Sequence, residues 1–144
     1  LSVIMMDIDH FKLVNDRFGH AMGDYVLLTL ARLIRSEVRE VDVVGRYGGE
    51  EFTVILPETA LATAVEVAER LHQKINRTFQ AADPNLPQIT VSIGIADNSS
   101  EAADFPGLVQ LADRALYQAK EGGRDRLEAY KPNPPAGSIP PNQH

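Results

Sequence analysis

Residues Asp42–Pro57 read DVVGRYGGEEFTVILP, in which a short polar turn separates two apolar runs. The runs Asp42–Arg46 and Phe52–Leu56 predict two strands, and YGGEE joins them as a β-hairpin whose glycines can adopt positive φ angles. The turn is either a solvated connection between the two strands or part of a functional site that the strands hold in place. The elements around it decide between these two interpretations.

Strands and helices alternate along the rest of the chain. An unbroken apolar run predicts a central strand covered on both faces, and apolar residues at intervals of three and four predict helices. A pair of glycines provides the stop signal of the last long helix. The predicted elements outside the hairpin are strands at Ser2–Ile8, Ile89–Ala96 and Arg126–Tyr130, and long helices at Met22–Val38, Ala60–Phe79 and Pro106–Glu121.

This order of elements, β, α, β, β, α, β, α, is the split βαβ arrangement of ferredoxin-like folds. It predicts an α/β (α+β) domain in which helices pack on a mainly antiparallel sheet. The first and second strands run parallel and the third returns between them, so the hairpin turn lies where the first strand exits the sheet. Asp7, Glu50 and Glu51 are therefore expected to converge, although they are far apart in sequence.

Carboxylates crowded in this way repel each other unless a cation lies between them. Asp7, Glu50 and the backbone carbonyl of Ile8 are hard oxygen ligands that suit Mg²⁺, which leaves coordination positions for water and substrate phosphates. We therefore predict a Mg²⁺ site, with Mn²⁺ as the alternative ion. The simpler alternative is that the glutamates are solvated turn residues. Asp9, at the start of HFKLVND, is expected only to cap a helix.

Composition excludes several other classes of protein. The chain has 14 Lys+Arg against 20 Asp+Glu, and its scattered basic residues argue against binding to nucleic acid or to an anionic membrane. It has no cysteine, which excludes disulfides and thiolate chemistry and suits a reducing cytosol. No apolar run approaches the roughly 20 residues that a membrane span needs. We expect a cytoplasmic domain without membrane contact, and membrane anchoring of the parent protein stays open.

The segments DIDHFKLVNDRFGHAMGD, RYGGEEF, VSIGIA and ADRALYQAKEGGRDR, in this order over Asp7–Arg126, resemble a GGDEF domain, the diguanylate cyclase module of bacterial signalling. GGEEF is an accepted form of the signature in active members. The resemblance implies a nucleotidyl-cyclase-like fold and condensation of two GTP into cyclic di-GMP and two pyrophosphates, by Mg-assisted attack of a 3′-hydroxyl on an α-phosphate. It also implies a catalytic homodimer and, in the parent protein, an upstream sensory domain.

The resemblance assigns site residues one by one. It implies that Asp7 and Glu50 form the catalytic centre and hold Mg²⁺ with the Ile8 carbonyl, and that Glu51 contributes to a second ion. Asn15 and Asp24 match the guanine-reading pair. Their structural alternatives are a helix C-cap for Asn15 and a first-turn acid for Asp24.

Positive charge for the triphosphate is assigned in the same way, since point charges and guanidinium groups suit polyphosphate. Glycines in the turn would let the backbone approach the nucleotide. The substrate-binding residues implied in addition to the guanine pair are Lys12, Lys120, Arg124, the weaker candidate Arg46, and Gly48 and Gly49.

Arg39 and Asp42 form an RxxD motif that resembles the family's inhibitory site for its product. Arg70, on the following helix, is expected to add a second arginine. Such a site would bind cyclic di-GMP and reduce turnover. The alternative is a surface ion pair, which contributes little to stability.

The chain also departs from the family pattern. It starts after the helix and the LTGLPNR-like segment that members carry, so residues 1–131 are predicted to be a GGDEF domain lacking both. That lack is expected to expose a sheet face and to weaken or abolish activity. The Pro-rich residues 132–144 are predicted to be a disordered tail. Two alternative functions are a non-catalytic module that binds GTP or cyclic di-GMP, and a structural domain without a ligand.

Overall fold

A computed structural model describes residues 1–80, 85–99 and 104–131 of the 144-residue chain. Within these ranges the chain forms one five-stranded sheet and four α-helices. The elements are β1 (Ser2–Ile8), α1 (Phe11–Phe18), α2 (His20–Glu37), β2 (Val43–Tyr47), β3 (Glu51–Leu56), α3 (Leu61–Phe79), β4 (Val91–Asp97), α4 (Phe105–Glu121) and β5 (Arg126–Ala129).

The sheet has the strand order β2-β3-β1-β4-β5. β1 is antiparallel to both β3 and β4, and β2 is antiparallel to β3, whereas β4 and β5 are parallel. β3 therefore lies between β1 and β2. The strands β1 and β2 run in the same direction, because each is antiparallel to β3. This confirms the predicted split βαβ topology, the mainly antiparallel sheet and the mixed α/β class.

The central strand β1 is buried along its whole length because helices cover both faces of the sheet. Ile4 and Met6 belong to a large apolar cluster with residues of α1, α2 and α3. Val3 and Met5 belong to a smaller cluster with α4. This alternation follows from the two-residue repeat of a strand, and it places Asp7 on the α4 face.

Gly94 lets α4 pack directly on β4. A Cβ atom at this position would lie 2.2 Å from the backbone oxygen of Ala112 and 2.2 Å from the backbone nitrogen of Leu116. Neither backbone atom can move independently of its helix, so α4 would have to shift away from the sheet. Gly94 thus fixes the height of α4, and with it the position of the side chains at the end of that helix.

The predicted element bounds agree with the structure to within a few residues. The largest differences are two residues: β4 begins at Val91 rather than Ile89, and α2 begins at His20 rather than Met22, because Gly19 at φ 90° separates it from α1. In the described residues, no helix combines the length and the apolar character that crossing a membrane would require. The predicted disorder of 132–144 concerns residues outside the described ranges.

Candidate functional site

The predicted meeting of β1 with the hairpin turn is present in the structure. Asp7 on β1 is the cross-strand partner of Glu51 on β3. The backbone N–H of Ile8 donates to the carbonyl of Glu50 at 3.4 Å, so the turn rests on the end of β1. Lys120, in the last turn of α4, contacts Asp7 through its Nζ atom. We call the group Asp7, Ile8, Glu50, Glu51 and Lys120 the hairpin end.

Negative charge at the hairpin end is only partly compensated. Asp7 is 6% exposed, and its Oδ2 contacts Lys120 Nζ, whereas its buried Oδ1 has no hydrogen-bond partner. Partial burial raises the pKa of Glu50, and the charge of Asp7 raises it further against the opposing effect of Lys120. Burial and then Asp7 likewise raise the pKa of Glu51. The uncompensated negative charge of these carboxylates therefore favours an additional cation between them.

The chemistry of these donors fits a hard divalent cation. Asp7 Oδ1 is a buried oxygen without a partner, and such an atom costs about 1–3 kcal/mol. Glu50, in the turn before β3, and the Ile8 carbonyl, at the end of β1, lie at the same end of the sheet. In the described part of the chain, no three His, Asp or Glu side chains form a ready-made metal site. The arrangement suits an ion such as Mg²⁺, which takes few protein ligands and completes its shell with water and phosphate.

Asn15 is on α1 and Asp24 is on α2, the two helices that meet at Gly19. A Cβ on Gly23 would lie 2.0 Å from Asn15 Oδ1, so the Asn15 side chain lies directly over this glycine, which precedes Asp24 in the chain. The two structural alternatives do not fit. The C-cap of α1 is Gly19 rather than Asn15, and α2 begins at His20, which places Asp24 beyond its first turn.

Gly23, which sequence reasoning did not single out, provides the space that the Asn15 side chain occupies. A glycine inside a helical pattern costs about 1 kcal/mol relative to alanine, which was the available signal. A groove of about 390 Å³ extends from this junction between α2 and β2. Its lining residues are Asp24, Leu27, Leu28, Ala31, Val44, Gly45, Arg46 and Phe52.

The predicted phosphate cations divide into two groups. Lys120 and Arg124 lie at the C-terminal end of α4, where the backbone N–H of Arg124 donates to the carbonyl of Ala119 at 3.0 Å. Lys12 on α1 and Arg46 on β2 are exposed. Only Lys120 among these four makes a recorded ion pair with the hairpin end.

The two glycines of the turn have different backbone requirements. Gly48 has φ 67°, the left-handed region that favours glycine, and Gly49 does not have a positive φ. An added Cβ would meet nothing within 4 Å at Gly49, and its nearest neighbour at Gly48 would be Glu51 Oε2 at 3.9 Å. The turn therefore has open space on its outer side, and Gly48 is the position at which its backbone needs glycine.

The prediction that Asp9 caps a helix is wrong. The N-cap of α1 is His10, at φ 56°, and it makes no side-chain cap hydrogen bond. The buried Asp9 carboxylate instead accepts from Thr90 Oγ1 at 2.7 Å, from Ser92 Oγ at 2.7 Å and from the backbone N–H of Asp125 at 3.0 Å. The carboxylate faces β4 and the loop after α4. Donors from these two regions form hydrogen bonds to both of its oxygens.

Arg39 and Asp42 form a closed ion pair at the turn between α2 and β2, which we call the REVD corner (Arg39–Asp42). Arg39 Nη2 donates to Asp42 Oδ1 at 2.8 Å, and the Arg39 backbone N–H donates to Asp42 Oδ2 at 2.7 Å. The same Nη2 donates to the Pro57 carbonyl at 2.8 Å and to Thr59 Oγ1 at 3.0 Å. The corner therefore joins the start of β2 to the end of β3.

Arg70 faces a different carboxylate. Its Nε pairs with Glu37 Oε2 at 3.4 Å, and Lys74 Nζ pairs with Glu37 Oε1 at 3.1 Å. The arginine thus links α3 to the last residue of α2. In the structure Arg39 and Asp42 form an ion pair, as the alternative interpretation of the RxxD motif predicted. The inhibitory role of Arg39, Asp42 and Arg70 stays a prediction.

Comparison with known proteins gives a consistent set of relatives. Residues 1–126 match the family model described as diguanylate cyclase, GGDEF domain. The chain is 41% identical over 135 residues to diguanylate cyclase A of Treponema denticola, and the match covers 94% of this chain and 36% of that protein. The chain thus spans about a third of the length of this curated relative.

Solved structures agree with the sequence match. The active GGEEF domain of a diguanylate cyclase from Vibrio cholerae superposes with a TM-score of 0.82 at 36% identity, covering 91% of this chain and 83% of that one. The GGDEF domain of DgcB from Caulobacter crescentus, solved in complex with c-di-GMP, gives a TM-score of 0.82 at 33% identity and covers 90% of this chain and 77% of that one. These similarities confirm the predicted nucleotidyl-cyclase-like fold.

Proposed function

Because this chain belongs to the GGDEF family of diguanylate cyclases, we propose that it condenses two GTP into cyclic di-GMP and two pyrophosphates. The observation that carries the proposal is the hairpin end. There a buried Asp7 oxygen without a partner lies at the strand end beside Glu50, which has a raised pKa, and beside the Lys120 ammonium. Such a site suits a substrate that brings both a hard cation and phosphate groups.

Asp7, Glu50 and the Ile8 carbonyl would hold Mg²⁺ or Mn²⁺, with Glu51 placed to contribute to a second ion. Such an ion polarises a phosphate oxygen and lowers the barrier to deprotonating a hydroxyl. Lys120 would exchange its contact with Asp7 for the triphosphate, because a divalent cation competes for the same carboxylate. Arg124 would bind the triphosphate from the adjoining loop, and Lys12 and Arg46 from the opposite side.

Each chemical step forms one bond and breaks one. The 3′-oxygen of one GTP attacks the α-phosphorus of the other, the bond from that phosphorus to the bridging oxygen breaks, and pyrophosphate leaves. The proton of the 3′-hydroxyl would go to the carboxylate of Glu50, which acts as the general base. The step occurs twice, once at each phosphate, to close the ring.

Guanine would be read by Asn15 and Asp24. A carboxylate accepts from guanine N1–H and N2–H₂, and an amide can both donate and accept at the edge of the base. Asp24 and Arg46 both line the groove between α2 and β2, so this groove would place the base beside the strand that leads into the hairpin turn. Adenine would present the wrong complement of donors to Asp24.

One chain offers one such site, whereas the reaction joins two nucleotides. We therefore propose a homodimer in which each subunit presents its GTP to the other. The parent protein would add a sensory domain that controls the dimer, and the domain would work in the cytoplasm, where GTP is supplied. The solved complex of the DgcB GGDEF domain with c-di-GMP supports binding of cyclic di-GMP by this chain, and we assign that binding to the REVD corner.

Incubating the 144-residue chain with GTP and Mg²⁺ and separating the products by chromatography tests the proposal. Cyclic di-GMP that disappears when the divalent cation is chelated is the expected result. Titration of the same sample with GTP separates the alternative function. Binding of GTP without turnover at any protein concentration would replace the cyclase by a non-catalytic binding module, and absence of both would reject the site.

A further inference from the structure

The loop between α4 and β5 is held in an unusual backbone conformation. Gly123, Arg124 and Asp125 all have positive φ angles, at 118°, 64° and 48°. For residues with a Cβ such angles cost on the order of 1 kcal/mol or more each. The loop follows the last turn of α4 and carries Arg124, so its conformation determines where Arg124 lies.

Asp9 is the residue that ties this loop to β1. Its Oδ2 atom accepts the backbone N–H of Asp125 at 3.0 Å, from the strained part of the loop. Thr90 Oγ1 donates to the same oxygen at 2.7 Å, and Ser92 Oγ donates to Oδ1 at 2.7 Å. Asp9 is 7% exposed, so these bonds form away from water. The two hydroxyls orient the carboxylate, and the carboxylate holds the loop.

A second contact fixes the same loop from α3. His72 Nε2 and Asp125 Oδ1 lie 2.8 Å apart. Arg126 Nε also donates to the carbonyl of Arg124 at 3.0 Å. The loop is therefore bonded to Asp9, to α3 and to the start of β5, and within the described ranges the bond to Asp9 is the one that connects it to the end of β1.

We propose that Asp9 is a positioning residue that aligns Arg124, in the loop after α4, with the carboxylate of Asp7. Asp7 and Asp9 are two residues apart at the end of one strand. A displacement of the loop would move Arg124 relative to Asp7, and the bond from Asp9 prevents it. The inference rests on the proposed function only in taking a nucleoside triphosphate as the ligand.

A carboxylate is needed because both oxygens accept. An amide at this position would direct an NH₂ group at one set of donors and would lose at least one bond there, leaving a buried donor without a partner. Position 125 has a different requirement, since it contributes a backbone N–H and a positive φ. Asparagine tolerates that φ nearly as well as aspartate, and its side-chain oxygen can still accept from His72.

The test compares Asp9→Asn with Asp125→Asn as the matched control. Both changes replace one carboxylate of the same network by an amide. Titration of each protein with GTP and with GMP in Mg²⁺ is expected to give about ten-fold weaker binding of GTP to Asp9→Asn, which corresponds to about 1.4 kcal/mol, and unchanged binding of GMP. Asp125→Asn is expected to bind both as the parent does. Equal loss for GTP and GMP, or no loss, would overturn the inference.

Hydrogen exchange of the amides at 122–126 gives a readout that does not depend on nucleotide. The amide of Asp125 is expected to lose protection in Asp9→Asn while the amides of β1 keep theirs. Retained protection at 125 would also reject the positioning role, as would a loss spread over all strands, because that would indicate general destabilisation. If the parent itself failed to bind GTP, the proposed function would fail, and the exchange experiment would still decide whether Asp9 holds the loop.

Discussion

The hairpin end and the REVD corner each contain a buried aspartate paired with a basic side chain, but only one of the two pairs is complete. Asp42 is bonded through both oxygens to Arg39, and the arginine also bonds to the end of β3. Asp7 contacts Lys120 through one oxygen, and its other oxygen has no partner. The REVD corner thus stabilises the fold by itself, whereas the hairpin end retains a buried carboxylate oxygen without a partner.

The pKa directions agree with this difference. At the REVD corner the hydrogen bond to Asp42 raises the pKa of Arg39, so the charged form of the arginine is favoured. At the hairpin end burial and neighbouring carboxylates raise the pKa values of Glu50 and Glu51, so the charged forms are disfavoured. Carboxylates held in an electrostatically unfavourable arrangement are typical of functional sites. Four predictions test the proposed site and its difference from the REVD corner.

The largest effect is expected from Glu50→Gln. The amide removes a metal ligand and the proton acceptor, and loss of a general base alone costs about 10²–10⁴-fold in rate. We expect cyclic di-GMP synthesis to fall by at least about 100-fold while the circular dichroism spectrum stays unchanged. Glu69→Gln, on the exposed side of α3, is the matched control and should be as active as the parent. Undiminished synthesis by Glu50→Gln would contradict the site assignment.

A smaller effect is expected on base choice from Asp24→Ala. A site built to accept from guanine rejects a base with the wrong complement, and removal of the acceptor should reduce the preference for GTP over ATP by roughly 10–100-fold. Asp16→Ala, an exposed acid on the neighbouring helix α1, is the control. Competitive titration of GTP against ATP measures the ratio. A preference that survives Asp24→Ala would mean that other groups read the base.

The sequence predicts the hairpin end because topology rules leave few arrangements for a split βαβ unit. Once β3 returns between β1 and β2, the turn at Glu50 must lie beside the exit of β1 at Asp7. Residue type then indicates chemistry, since crowded carboxylates need a cation. The convergence was therefore predictable without coordinates.

Asp9 was not predictable, because its partners are distant in sequence. A local rule interprets an aspartate before a helix as a cap, but its partners lie 81, 83 and 116 residues further along the chain. The partner of Arg70 in the structure was not predictable for a similar reason. Helix periodicity indicates that it faces α2, and only the packing of α3 decides that its partner is Glu37. Non-local polar pairing is the part of this site that a single sequence leaves open.

The third prediction compares stability at the two regions. Asp42→Asn removes the charge that Arg39 pairs with and should lower the free energy of unfolding by about 1–3 kcal/mol. Asp7→Asn removes a carboxylate that lies beside two others, so its cost in the absence of divalent cations should be smaller, and a gain is compatible with the argument. Urea denaturation at neutral pH measures both. If Asp7→Asn proved the more damaging change, the hairpin end would be a structural pair rather than an incomplete site.

The smallest effect is on the pH dependence of stability without divalent cations. Glu50 and Glu51 have folded-state pKa values above the ordinary value of 4.5, so the folded protein binds more protons than the unfolded chain just above that pH. Stability from these two groups is therefore present below about pH 4.5 and is lost as the pH rises through their raised pKa values. Urea midpoints from pH 4.5 to 7 should show this contribution as the difference between the parent and the double variant Glu50→Gln/Glu51→Gln, which cannot titrate there. Added Mg²⁺ should stabilise the parent above that range and leave the double variant unchanged, and an identical response of both proteins would place the cation elsewhere.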